Sequence, residues 1–134
     1  MSDEHIEGSC HCGGLKWRFQ GRPDSATMCN CTICRRYGAL WTYDFEGERI
    51  EVEGRNLVYI HGAETIGFHF CPDCACIGYW RGLMPDQDGR RRIAVNLRMA
   101  DPSSAAAIPV QLFDGLTSFS DLEPDGRCIR DVWF

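Results

Sequence analysis

Seven cysteines in three short groups constrain this chain more than any other feature. Cys10-His11-Cys12 is a C-x-C, Cys29-Asn30-Cys31-Thr32-Ile33-Cys34 a C-x-C-x-x-C, and Cys71-Pro72-Asp73-Cys74 a C-x-x-C. Cys76 and Cys128 bring the total to nine cysteines in 134 residues. The chain starts Met-Ser-Asp-Glu-His, acidic and without the apolar stretch of a secretory signal, so a reducing, cytoplasmic location is expected. Disulfides do not persist there, and an odd number of thiols cannot pair completely. Metal is the remaining use for so many thiols.

Spacing divides the groups by task. In an extended segment residues i and i+2 face one side, so Cys10 and Cys12 converge while His11 points away. The proline-containing C-x-x-C is a tight turn that aims two sulfurs at one point. Together Cys10, Cys12, Cys71 and Cys74 are expected to form a closed tetrahedral site, and four soft ligands favour zinc. The middle group offers three thiols. Three protein ligands with an open fourth position is the pattern of catalytic zinc, so Cys29, Cys31 and Cys34 are the expected catalytic set. Water or an incoming thiol would take the fourth place, and Arg35 and Arg36 follow at once to offset the negative charge. The alternative is a second structural zinc closed by a distant ligand, for which Cys76, His69 and Cys128 are available. Cys76 and Cys128 also read as buried small hydrophobes.

The rest of the chain reads as strands. Residues 15–19 alternate apolar and polar, 40–45 are aromatic and β-branched, and 65–70 and 77–80 flank the C-x-x-C turn. Residues 49–53 and 57–60 read as a hairpin about Gly54-Arg55-Asn56, and 92–96 as a further strand. Helix signals are few: Asp101 as N-cap, Pro102 at the first helical position and an alanine run stopped by Pro109, plus one short turn within residues 31–37. An antiparallel all-β domain with short helices follows. Residues 116–134 read as a C-terminal extension with a turn at Pro124-Asp125-Gly126, packing by Val132, Trp133 and Phe134.

Composition excludes several classes. Hydrophobic content of 44% and charged content of 25% are globular values. The length suits one domain, 1–134. A net charge of −5 argues against nucleic acid, which wants a basic face. No apolar run approaches the roughly 18 residues of a membrane span. Lys16 is the only lysine, which disfavours Schiff-base chemistry.

Gly8-Ser9-Cys10-His11-Cys12-Gly13-Gly14, Cys29-Asn30-Cys31-Thr32-Ile33-Cys34-Arg35 and Phe70-Cys71-Pro72-Asp73-Cys74, in this order, resemble the glutathione-dependent formaldehyde-activating enzymes. This family is also called the centromere-protein-V-like domain. The resemblance covers roughly residues 5 to 115. It implies a tent-like, mainly antiparallel β fold with zinc knuckles and a structural zinc on Cys10, Cys12, Cys71 and Cys74. It further implies a second zinc on Cys29, Cys31 and Cys34 whose open position relates to glutathione. The activity implied is the joining of glutathione to formaldehyde as S-hydroxymethylglutathione, a carbon–sulfur lyase by class. The partners implied are a small-molecule thiol and aldehyde. A homodimer is compatible with the sequence and not required by it.

The chain departs from the family pattern at Ala75, where glycine is usual, and at Cys76, which extends the motif to C-x-x-C-x-C. A left-handed backbone at Ala75 would cost about 1 kcal/mol. Arg35 and Arg36 are the leading candidates for the carboxylates of glutathione, with Arg81, Arg90, Arg91, Arg92 and Arg98 as competitors, because guanidinium binds carboxylate bidentately. Two other classes fit the same residues. One is a zinc-stabilised binding module without catalysis. The other is a thiol redox enzyme of the methionine sulfoxide reductase type, suggested by Gly126-Arg127-Cys128-Ile129.

Overall fold

Alternation along Leu15-Lys16-Trp17-Arg18-Phe19 places one face of a strand in the core and the other in water, and the computed structural model shows both. It describes residues 4–62 and 65–133. Strand β2 (Leu15–Gln20) buries Leu15, Trp17 and Phe19 and exposes Lys16, Arg18 and Gln20. It is the middle of a three-stranded antiparallel sheet between β1 (His5–Ser9) and β5 (Ile50–Gly54). Each large side chain so buried contributes about 1.5–3 kcal/mol.

The second sheet has eight strands. In chain order they are β3 (Ala26–Cys29), β4 (Trp41–Phe45), β6 (Leu57–Ile60), β7 (Ile66–Phe70), β8 (Ile77–Gly82), β9 (Arg92–Asn96), β10 (Val110–Asp114) and β11 (Ser120–Asp121). Their spatial order is β11-β10-β3-β4-β9-β8-β7-β6. Every pairing is antiparallel except β10 with β3, which is parallel. Helices are short: α1 (Cys34–Tyr37), α2 (Pro102–Ala105) and α3 (Ile129–Trp133). Asp101 caps α2 by accepting from the Ser103 amide, so the expected helix exists, but only for one turn.

The two faces of the large sheet do different work. Tyr79, Ile93 and Val95 face the small sheet and join its Leu15, Trp17 and Phe19 in one core. Trp41, Phe68, Trp80 and Ala94 form a second cluster on the opposite face, with Cys34 and Ala39. Strand β8 is therefore covered on both sides, which is why Ile77-Gly78-Tyr79-Trp80 shows no polar alternation.

One expectation is corrected. Residues 49–53 and 57–60 are not a hairpin: β5 pairs with β2 in the small sheet, whereas β6 pairs with β7 at the edge of the large one. Gly54, at φ 106°, lies so close to the Gly14 carbonyl that a Cβ would stand 2.0 Å from its oxygen. Glycine thus lets β5 run on against β2, and the Gly54–Asn56 segment crosses between sheets. Asn56 secures the crossing, its Oδ1 accepting a hydrogen bond from His69 Nδ1 at 2.8 Å.

The C-terminal residues complete the first core. Ile129 is fully buried, and Val132 and Trp133 pack against that core. Phe134, expected to pack with them, lies outside the described residues, as do Met1 to Asp3 at the acidic start.

Candidate metal centres and the cleft between aromatic walls

Cys10 and Cys12 lie in the turn that joins β1 to β2, and Cys71 and Cys74 in the turn that joins β7 to β8. The first pair converges by a turn, closed by Gly13 N to Cys10 O at 3.0 Å, and not by extended geometry. The four sulfurs all lie within 4.8 Å of one another and can hold a metal ion. Cys10 Sγ is 3.7 Å from Cys12 Sγ, and Cys12 Sγ is 3.5 Å from Cys71 Sγ. A tetrahedral ion with metal–sulfur bonds near 2.3 Å separates its sulfurs by about 3.8 Å, so the cluster has the right size. Amides of Leu15 and Asp73 donate to the sulfurs of Cys10 and Cys71 at 3.2 and 3.4 Å. One pair belongs to each sheet, so an ion held here would join the two sheets.

The last residue of that turn is strained. Ala75 sits at φ 66°, left-handed, with its amide donating to Cys71 O at 2.8 Å. That conformation costs a non-glycine residue roughly 1–2 kcal/mol. Cys76 packs half-buried against the first core beside Cys74.

The second centre is built differently. Cys29 ends β3, Cys34 opens α1, and Cys31 lies in the turn between them. Their sulfurs also cluster within 4.8 Å. Amides of Cys31 and Cys34 donate to the sulfurs of Cys29 and Cys31 at 3.4 and 3.3 Å, and the Trp41 indole donates to Cys34 Sγ at 3.3 Å. Among the described residues no fourth cysteine, histidine or carboxylate joins this group. Of the three named closers, His69 is buried against Tyr79 at 4.6 Å and bonded to Asn56. Cys76 stands by the other centre, and Cys128 contacts Asp131 and Arg130 on α3. Gly115 backs the triad so tightly that a Cβ would stand 2.6 Å from Cys29 Sγ and 2.9 Å from Cys31 Cβ.

Crowded sulfurs compete for charge in both centres. Cys29 is lowered to about 6, chiefly by the hydrogen bond from the Cys34 thiol, while Cys34 is pushed far up by that same partner and by burial. Cys74 is lowered to about 5 by the amides of Cys76 and Cys12. The Gly14 amide favours a thiolate at Cys12, yet neighbouring thiols of Cys71 and Cys10 push it up to about 12. Without a cation, then, part of each set must stay protonated. A divalent soft cation removes that competition.

The surroundings separate the centres. Cys10 and Cys71 are buried in the first core while Cys12 of the same centre is exposed, whereas the triad forms the floor of a cleft of about 570 Å³. Trp41, Phe68 and Trp80 wall it, and Tyr43, Arg92 and Phe119 stand nearer its rim. Tyr43 is pushed up to about 12, first by desolvation of its hydroxyl and then by charge at Cys29 and Cys34, against a hydrogen bond from Thr27. A shallower hollow lined by Thr32, Arg35, Arg36, Tyr37 and Tyr59 shares Ile33 and His61 with the cleft. Arg36 donates to the Thr32 carbonyl at 2.6 Å. Arg90 is paired with Glu48, Arg81 with Glu46, and Arg98 binds the Gly38 carbonyl. Arg92 starts β9, as the strand reading of residues 92–96 expects, and lines the cleft. Gly115 carries no motif signal, and Trp41 and Tyr43 mark residues 40–45 only as an aromatic strand. Only alternation along β4, which puts both on one face, could have singled them out.

The fold has a solved counterpart. A crystal structure of a Rhodobacter sphaeroides protein matches with a TM-score of 0.58 at 23% identity, covering 78% of this chain and 98% of that one. A Halomonas elongata protein carrying the provisional name of glutathione-dependent formaldehyde-activating enzyme is 33% identical over 81 residues. That match spans 52% of this chain and 52% of that protein, about half its length. The model of the family described as glutathione-dependent formaldehyde-activating enzyme matches residues 5–114, and the chain belongs to that family.

Proposed function

We propose that this protein adds the thiol of glutathione to formaldehyde in the cleft above Cys29, Cys31 and Cys34. One observation carries the reading: three sulfurs, and no fourth ligand among the described residues, open into a cleft walled by aromatic side chains. Cys29, Cys31 and Cys34 would hold one zinc ion, and Cys10, Cys12, Cys71 and Cys74 a second that serves the fold. Zinc at the triad would supply a Lewis acid and a charge that favours thiolate over thiol.

The chain's own residues do the rest. The aromatic walls exclude water and leave the incoming sulfur and the small aldehyde as neighbours, which raises their effective concentration. The tripeptide extends over Ile33 and His61 into the adjoining hollow, where Arg35 and Arg36 stand ready for its carboxylates. Attack of the sulfur on the carbonyl carbon then gives S-hydroxymethylglutathione.

Two measurements test this. Elemental analysis should find two zinc ions per chain, one of them removed first by a chelator. Exchange NMR of formaldehyde with glutathione should show faster interconversion with protein than without. Equal exchange rates together with two tightly held zincs that ignore glutathione would instead favour a zinc-stabilised binding module.

A further inference from the structure

A thiolate that attacks formaldehyde turns the carbonyl oxygen into an alkoxide, and that oxygen needs a donor. The cleft offers few. His61 is stacked between Tyr59 and Phe68, at 5.8 Å from each, and the Arg92 guanidinium lies over Trp80 at 5.6 Å. The carboxylate of Asp121 would repel an oxyanion. Trp41 Nε1 is already committed to Cys34 Sγ. Tyr43 remains.

Three observations place its ring at the triad's cleft. Tyr43 is two residues from Trp41 on β4, so the two rings share a face, and Trp41 touches the triad. Thr27, opposite Trp41 in register and two residues before Cys29 on β3, stands beside the phenol. The ring is fixed against Trp80 at 5.6 Å and yet remains 39% exposed, so it borders the space a substrate would enter.

We propose that Tyr43 is a catalytic residue whose hydroxyl donates its hydrogen bond, and then its proton, to the aldehyde oxygen. The step rests on the thiol addition proposed above, and it balances. The carbon–sulfur bond forms as the C=O π bond breaks, and its electron pair moves to oxygen. Oxygen takes the proton from Tyr43 Oη, and solvent restores it, matching the proton released when the thiol became thiolate. Positioned donors of this kind contribute typically 10²–10⁴-fold to rate.

The test compares wild type with Tyr43→Phe, which keeps the ring and removes one oxygen. With zinc content equal, kcat in the exchange assay should fall about hundredfold, while KM for glutathione stays within about twofold. Tyr43→His, which restores a donor, should recover about tenfold of that loss. A second arm needs no turnover. S-(2-hydroxyethyl)glutathione, with a hydroxyl near the reacting position, should bind Tyr43→Phe about tenfold more weakly by calorimetry, as loss of one hydrogen bond implies. S-ethylglutathione should bind both proteins alike. A wild-type protein with no acceleration overturns the thiol-addition reading, while the analogue pair still judges the hydroxyl. Unchanged kcat in Tyr43→Phe, or equal weakening of both analogues, overturns the role of Tyr43.

Discussion

The two sulfur clusters are close in composition and differ in how the fold assembles them. Cys71 is fully buried and Cys10 nearly so, and each of the two sheets contributes one pair of sulfurs. The triad draws all three sulfurs from residues 29–34 and faces a cleft. A centre fed by two sheets is bound up with folding itself, because its ligands converge only when both sheets are in place. A centre fed by one short segment can gain or lose its ion while the rest of the chain stands. Thiol chemistry is common to both; the span of sequence that must be ordered around it separates them.

That contrast can be broken most forcefully with paired substitutions. Cys71→Ser should cost about 4 kcal/mol or more, since it removes a fully buried ligand at the junction of the sheets and leaves the other three sulfurs without an ion to hold them together. Cys31→Ser should leave the melting transition within a few degrees. Similar losses of stability in both variants, read by thermal denaturation, would erase the distinction.

Gly115→Ala addresses the triad alone. Its Cβ would press on Cys29 Sγ at 2.6 Å, so metal affinity there should fall about 10–100-fold, the usual effect of disturbing a ligand's support. The four-sulfur centre should keep its ion. Metal-indicator titration reads both.

A smaller effect concerns protons. In metal-free protein Cys29 is held near 6 by the Cys34 thiol, and Cys34 is held protonated. Thiolate is the reactive form, so iodoacetamide should label Cys29 before Cys34 at pH 7. Labelling of Cys29 should fall as pH drops through about 6. A folded value below the free thiol's means that this charge favours the folded state fully above about pH 9, and that the benefit fades as pH falls from there through about 6. Peptide mapping across pH 5 to 8 checks the order.

The smallest change is Ala75→Gly. It relieves a left-handed alanine at φ 66° but loosens the unfolded chain, so a net gain of at most about 1 kcal/mol is expected. Chemical denaturation reads it, and a loss would show that the Ala75 methyl packs usefully.

Local signals in the sequence carried much of this. The cysteine spacings are legible because a ligand must be near its partner, and short turns make nearness a matter of counting. Strands β2 and β9 declared themselves by pattern, and Asp101-Pro102 declared α2. Long-range pairing was not legible. Nothing in Val110–Asp114 states that it lies parallel to β3, yet that pairing sets Phe113 opposite Cys29 and carries Gly115 to the triad. The misread hairpin has the same origin: alternation fixes which face is buried, not which sheet supplies the neighbour. Tyr43 and Trp41 mark β4 as a strand by their residue type, and only the tertiary fold opens a cleft over them.

The Trp41 indole, donating to Cys34 Sγ at 3.3 Å, also makes the triad visible by light. Fluorescence of an indole is sensitive to an electron-rich sulfur at contact distance, so its emission reports whether that sulfur carries a proton, a metal or an oxidised bond. Trp80 walls the same cleft and Trp17 and Trp133 belong to the other core, so replacing those three by phenylalanine would leave Trp41 as the sole indole emitter. The protein thus holds a native optical probe at the one centre expected to change during its work, and ion exchange there can be followed in real time without a label.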